Sequence, residues 1–167
     1  MSKTSPVVII AAVVVVLIVL VAILYVMVLG FDEQHESPPR VTPAATYSKA
    51  PISNGEQVNV VQITKTDVPW DDIKVQLSDG TSFAEWQTAT ADLDGGAAVT
   101  HDYASLSLGA LTVTLTVTDV GGNGFVSGSD YFRVTASGGL SSGTIYTAVL
   151  VYEPTGEHIG TGVTFTG

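Results

Sequence analysis

The sequence contains no cysteine, so disulfide bonds and thiol chemistry contribute nothing to its stability or its function. Charged residues are also scarce, at 13% of the 167 residues, and Lys and Arg number only 6 against 16 Asp and Glu. All of the acidic residues, and five of the six basic ones, follow Phe31. This acidic part of the chain excludes nucleic acid as a partner, because phosphates are bound through Lys and Arg.

Charge is absent altogether from residues 7–31, which read VVIIAAVVVVLIVLVAILYVMVLGF. A helix that crosses a bilayer needs about 20 apolar residues, so this run is long enough. Pro6 suits the first turn of a helix and Gly30 suits its end. The run therefore predicts a hydrophobic helix over residues 6–31, after a short N-terminal tip at residues 1–5. Lys3 before the run predicts a cytoplasmic N-terminus, with the rest of the chain outside.

Residues 32–57 read DEQHESPPRVTPAATYSKAPISNGEQ and show no apolar periodicity. They contain four of the seven prolines, at positions 38, 39, 43 and 51. Proline-rich, polar sequence of this kind is typical of extended linkers. We predict a stalk over residues 32–57.

Residues 58–167 have the pattern of an all-β domain. The run LTVTLTVT at residues 111–118 places its Leu and Val residues on one face and its four Thr residues on the other, which is typical of a half-buried strand. Short strands separated by turn-rich segments predict a sandwich or a small barrel-like domain. The other predicted strands are 58–64, 73–77, 98–108, 131–136, 144–152 and 162–166.

The loop DVGGNGFVSGSD at residues 119–130 has nearly the spacing of an EF-hand calcium loop. Its candidate ligands are the side chains of Asp119, Asn123, Ser127 and Asp130 and the carbonyl of Phe125. With two carboxylates, calcium affinity is expected at about 10⁻⁴ to 10⁻³ M. The alternative is a metal-free β-hairpin connection in which glycines 121, 122, 124 and 128 allow positive φ, while Asp119 and Asn123 bond to nearby backbone. No cofactor is otherwise required.

Catalytic patterns are weak. The sequence GLSSG at residues 139–143 matches the nucleophile motif of hydrolases, and Glu153 and His158 follow it, but the motif lies between two predicted strands rather than before a helix. The adjacent Asp71 and Asp72 suit a turn or a strand start, since neighbours on a strand point to opposite faces. The histidines at 35, 101 and 158 lack zinc-site spacing. We predict that the chain is not an enzyme, and that Trp70 and Trp86 are core or boundary residues.

Four stretches together resemble archaeal type IV pilins. They are the run SPVVIIAAVVVVLIVLVAILYVMVLGF at 5–31, DVPWDDIKVQLSDG at 67–80, LTVTLTVTDVGGNGFVSGSDYFRV at 111–134 and IYTAVLVYEPTGEHIGTGVTF at 145–165. The resemblance implies a leader that a dedicated peptidase trims, with the processing region at Lys3, Thr4, Ser5 and Pro6. Cleavage near Lys3-Thr4, a chain that begins near its mature end, and no cleavage all stay open.

The resemblance also implies assembly into an extracellular filament with an adhesive role. The protein would wait in the cytoplasmic membrane, and an assembly ATPase and membrane platform would then extract it. Copies of the chain would pack their helices in the filament core and carry the β domain outside. The implied core-facing residues are Val7, Ile10, Val14, Leu17, Val21, Leu24 and Val28. The alternative is a single-span, membrane-anchored β binding module, calcium-dependent or not, that never polymerises; a swimming filament is a variant of the first interpretation.

Overall fold

The computed structural model describes residues 13–21 and 41–167. The chain divides into two compact units, Met1–Pro39 and Arg40–Gly167. In the first unit, residues 13–21 form an α-helix, which confirms that part of the predicted helix. The rest of the predicted helix, the N-terminal tip and stalk residues 32–40 lie outside the described residues. Among the described residues, no helix is both long and apolar enough to cross a membrane.

The second unit consists of two antiparallel sheets that share one core. In the first sheet the strands lie in the order β1 (Ala45–Ile52), β2 (Gly55–Ile63), β8 (Tyr131–Ala136), β7 (Leu111–Asp119) and β5 (Val99–Asp102), and β6 (Leu106–Leu108) also pairs with β7. In the second sheet the order is β10 (Glu157–Thr166), β9 (Ile145–Tyr152), β3 (Ile73–Ser78) and β4 (Phe83–Gln87). The second unit therefore has the two-layer, all-β architecture that the alternating pattern predicts.

The core follows from the period-2 pattern of the central strands. On β7 the side chains of Val113, Leu115 and Val117 are fully buried, and on β9 Leu150 faces them from the other sheet as part of the same cluster. Trp70 and Trp86 are both buried in this cluster, so of the two predicted positions, core and boundary, they occupy the core. Because both sheets contribute to one contiguous apolar cluster, the domain has the single core that a β domain of this size needs.

Most of the predicted strands are confirmed, with shifted ends. The strand predicted at 131–136 matches β8 in full, whereas the one predicted at 98–108 is two strands, β5 and β6, that pair with different parts of β7. The last predicted strand begins earlier, at Glu157. Strand β4 was not predicted, because its five residues give too short a pattern to distinguish from a loop.

The predicted stalk is wrong over residues 45–57. Strand β1 occupies residues 45–52 and pairs with β2, which begins at Gly55. The stalk was predicted because this segment is rich in proline. Pro51 is nevertheless compatible with β1, because this strand lies at the edge of its sheet, where a missing N–H does not have to interrupt the hydrogen bonds between strands. The β domain therefore begins before residue 58, and the compact unit starts at Arg40.

Candidate functional site

The helix at residues 13–21 is apolar on all sides, and all of its side chains are exposed. Their exposed fractions run from 48% for Val14 to 63% for Ile18 and Val21. Valine is a weak helix former, so the intrinsic propensity of this segment contributes little to its stability as a helix. An apolar environment outside this segment is therefore needed to stabilise it.

One face of this helix carries a shallow groove of about 270 Å³, lined by Val14, Leu17, Ile18 and Val21. These positions follow the i, i+3, i+4, i+7 spacing by which one helix packs against another. Three of the predicted core-facing residues, at positions 14, 17 and 21, lie in this groove. The other four, at 7, 10, 24 and 28, and the predicted processing region at residues 3–6, lie outside the described residues.

The candidate calcium loop is organised around two buried carboxylates. Asp119, at the end of β7, accepts hydrogen bonds from Gly122 N to its Oδ1 at 2.7 Å and from Gly124 N to its Oδ2 at 2.9 Å. Its side chain is fully buried. Both of its oxygens therefore hold the backbone of the loop that follows the strand.

Asp130 holds the other end of the loop in the same way. Its Oδ1 accepts from Val120 N at 2.9 Å, and its Oδ2 accepts from the N and Oγ of Ser127 at 2.6 and 3.0 Å. Burial raises the pKa of Asp130, and the nearby charge of Asp119 adds to this, while the hydrogen bonds from Val120 and Ser127 oppose it. The carboxylate is thus desolvated, and the loop's own donors offset part of that cost.

The rest of the loop docks onto neighbouring segments of the domain. Trp70 N donates to Gly124 O at 3.0 Å, and Val126 N donates to Val68 O at 2.8 Å. Asn123 Oδ1 accepts from Phe125 N at 3.0 Å, which closes a local turn. The loop is therefore an integral part of the folded domain rather than a projecting arm.

This arrangement matches much of the metal-free alternative. Asp119 and Asn123 bond to nearby backbone, and Gly122 and Gly124 adopt positive φ, at 57° and 74°. Ser129 also has a positive φ, at 92°. In the described ranges, no three His, Asp or Glu side chains are grouped so that they could hold a metal ion. Calcium binding by Asp119, Asn123, Phe125, Ser127 and Asp130 stays a prediction.

A feature that the sequence did not predict is the seam between the edge strands β1 and β10. Tyr47 Oη donates to Ile159 O at 2.5 Å, and Lys49 Nζ donates to Thr164 O. The two strands flank a groove of about 420 Å³, and a Cβ at Gly160 would lie 2.2 Å from Ala45 O. Gly160 and Gly162 lie in β10 where its pairing with β9 shifts register, between Ile159 and Val163. Glycines inside a strand pattern mark such irregularities, so they were the sequence signal for this feature.

The weak catalytic patterns are not brought together. Ser141 lies before β9, where its N–H donates to Tyr146 Oη at 3.0 Å, whereas Glu153 and His158 follow the other end of β9. Eight strand residues separate those ends by about 25 Å. Asp71 and Asp72 lie in a short 3-10 turn, Trp70–Asp72, as the prediction of a turn requires. His101 Nε2 lies 3.6 Å from Asp92 Oδ2, and His35 lies outside the described residues.

No protein-family model matches the chain, and no curated protein matches it significantly.

Proposed function

We propose that this chain is the structural subunit of an extracellular filament of the archaeal type IV pilus kind, with an adhesive role. The long apolar helix over residues 6–31 forms the filament core with copies of itself, and the β domain forms the outer layer. Before assembly the helix lies in the cytoplasmic membrane, with the N-terminus inside. No catalytic step is needed from the chain itself.

The observation that carries the proposal is the uniformly apolar helix surface at residues 13–21, with every side chain exposed. Burial of apolar surface contributes about 25 cal/mol per Å², so a segment of this kind is strongly driven to leave water. Lipid satisfies this requirement before assembly, and equivalent helices of other copies satisfy it in a filament. The groove at Val14, Leu17, Ile18 and Val21 has the spacing to accept side chains from such a helix.

The β domain supports the proposal because its two sheets bury an apolar core of their own. Both sheets share one core, and that core's Leu and Val side chains do not need a partner. The domain can therefore stay folded while the helix moves from lipid to a helical bundle. A subunit that is extracted from a membrane requires this independence.

The proposal is tested by shearing filaments from native cells and identifying the proteins by mass spectrometry. We expect this chain to dominate the sheared fraction with its apolar segment intact. The N-terminal peptide then shows whether cleavage occurs near Lys3-Thr4. As a control, a resident protein of the cytoplasmic membrane must be absent from the same fraction.

A different result supports the alternative function. If the chain is absent from the sheared fraction and stays with washed membranes, the filament proposal is wrong. The chain is then a single-span, anchored β binding module, and ligand screening of the β domain becomes the next step.

A further inference from the structure

The chain contains two Asn-Gly pairs, at residues 54–55 and 123–124, in very different surroundings. Such a pair can react without an enzyme. The backbone nitrogen of the glycine attacks the side-chain carbon Cγ of the asparagine, the new N–Cγ bond forms, and ammonia leaves. Water then opens the cyclic imide to aspartate or isoaspartate. Glycine favours this reaction because it has no side chain to block the attack and its backbone is permissive.

At Asn123, hydrogen bonds hold both the attacking nitrogen and the side-chain carbonyl that it would attack. The attacking nitrogen, Gly124 N, donates to the buried Oδ2 of Asp119 at 2.9 Å. The side-chain carbonyl that would be attacked accepts from Phe125 N at 3.0 Å, and Gly124 O accepts from Trp70 N at 3.0 Å. The reaction at this pair therefore requires the loop at residues 119–130 to open first.

Asn54 is held only through its backbone. It lies in the turn between β1 and β2 with a φ of 62°, and its carbonyl oxygen accepts from Ala136 N at 3.0 Å. Its side chain is exposed and makes no hydrogen bond to any other described residue. The amide group of Asn54 is therefore free to rotate, whereas Gly55 itself pairs with Ile52 of β1 and with Thr135 of β8. The difference between the two sites thus lies in the asparagine side chain, which is held at position 123 and free at position 54.

We propose that Asn54 is the site of spontaneous deamidation in the folded protein. Asn123 is protected by Asp119, although glycine follows both asparagines. The inference rests on the β domain alone and is independent of the proposed filament. Aspartate at position 54 adds a negative charge to an already acidic domain. Isoaspartate lengthens the backbone within the turn and so disturbs the pairing of Ile52 with Gly55, at the edge of the first sheet.

The test is peptide mapping of the full-length protein after incubation in mildly alkaline buffer, with and without urea. Trypsin separates the two sites, because cleavage after Lys49 and Lys65 isolates Asn54 from Asn123. Asn59 lies in the same peptide as Asn54 and is followed by Val60, so it serves as an internal control. Fragmentation spectra assign the modified position.

In the folded protein we expect Asn54 to react at least about tenfold faster than Asn123, because opening of a hydrogen-bonded loop must precede the second reaction. In urea the two rates should become similar. Equal rates at Asn54 and Asn123 in the folded protein would overturn the protection by Asp119. A rate at Asn54 no faster than that at Asn59 would overturn the assignment of Asn54.

Discussion

The helix at residues 13–21 and the β domain place the same kinds of side chain in opposite environments. Leu17 and Leu20 on the helix are 55% and 50% exposed, whereas Leu115 and Leu150 in the β domain are fully buried. The β domain thus buries a core of its own, whereas residues 13–21 of the helix bury none of their apolar side chains. The stability of the domain and the assembly of the chain should therefore respond to different substitutions.

The largest expected effect is on assembly and comes from a charge on the helix. Asp at the centre of a membrane-spanning helix costs about 2.5–3.5 kcal/mol, and a helical bundle would exclude the charge for the same reason. We expect Leu17→Asp to reduce the amount of this chain in the sheared fraction by at least about tenfold, as measured by immunoblotting. Thr112→Asp, at an exposed position of β7, is the matched control and should leave the amount unchanged. Equal amounts for both variants would contradict the role of the helix.

The next largest effect is on the stability of the β domain, where the same Leu→Ala substitution should act differently in the two regions. Leu150→Ala leaves a cavity in the core and should destabilise the β domain by about 2–5 kcal/mol. Leu17→Ala should leave the thermal unfolding of the β domain unchanged, because no core residue of that domain is altered. Circular dichroism of the full chain in detergent measures both. A lower melting temperature for Leu17→Ala would show that the two regions are not independent.

A smaller loss is expected in the loop at residues 119–130. Asp119→Asn replaces one acceptor oxygen by an NH₂ group, so that Gly122 N or Gly124 N loses its partner in a buried site. We expect a loss of about 1–3 kcal/mol in the free energy of unfolding, measured by urea titration. Asp67→Asn is the control, since the Asp67 side chain is 72% exposed and lies 3.8 Å from Lys65, a contact worth about 1 kcal/mol at most. The account fails if both variants lose the same amount.

The smallest effect concerns Glu56, which points to the same side of β2 as Val58 and Val60 and is only 7% exposed. Burial raises its pKa, and the charge of Lys49 opposes the rise. Between the ordinary pKa of glutamate and this raised value, the folded state binds the proton more tightly than the unfolded state. Stability should therefore fall as the pH rises through that window.

Glu56→Gln removes this pH-dependent loss. The variant should gain melting temperature relative to the native chain above the window, and the gain should disappear below the ordinary pKa of glutamate. Thermal unfolding of both proteins across this pH range measures the difference. A difference that does not change with pH would show that Glu56 is as easily ionised in the folded state as in the unfolded state.

The central strands could be predicted from sequence because each buries one face. In β7, the alternation of Leu and Val with Thr leaves no other way to place the apolar residues together. The edge strand β1 was missed because Pro51 and the prolines before it favoured a stalk, although the turn residues Ser53, Asn54 and Gly55, where Ile52 pairs with Gly55, were an available signal for a hairpin.

The loop at residues 119–130 shows a different limit of sequence patterns. Ligands for calcium and acceptors for backbone N–H groups are both carboxylate oxygens, so the spacing of Asp119 and Asp130 fits both roles. Their burial and their hydrogen bonds to Gly122, Gly124 and Val120 become visible only in the folded domain. The seam residues Tyr47 and Lys49 were missed because their partners are carbonyl groups, which every residue has.

The central claim, that the helix packs against copies of itself outside the membrane, is tested most directly by thiol protection. Because the chain has no cysteine, Leu17→Cys and Thr112→Cys each introduce its only thiol. In sheared, detergent-free material, the cysteine at position 112 should react with a water-soluble maleimide at once. The cysteine at position 17 should react only after detergent is added. Immediate reaction at position 17 in that material, or recovery of the chain only from washed membranes, would contradict the claim.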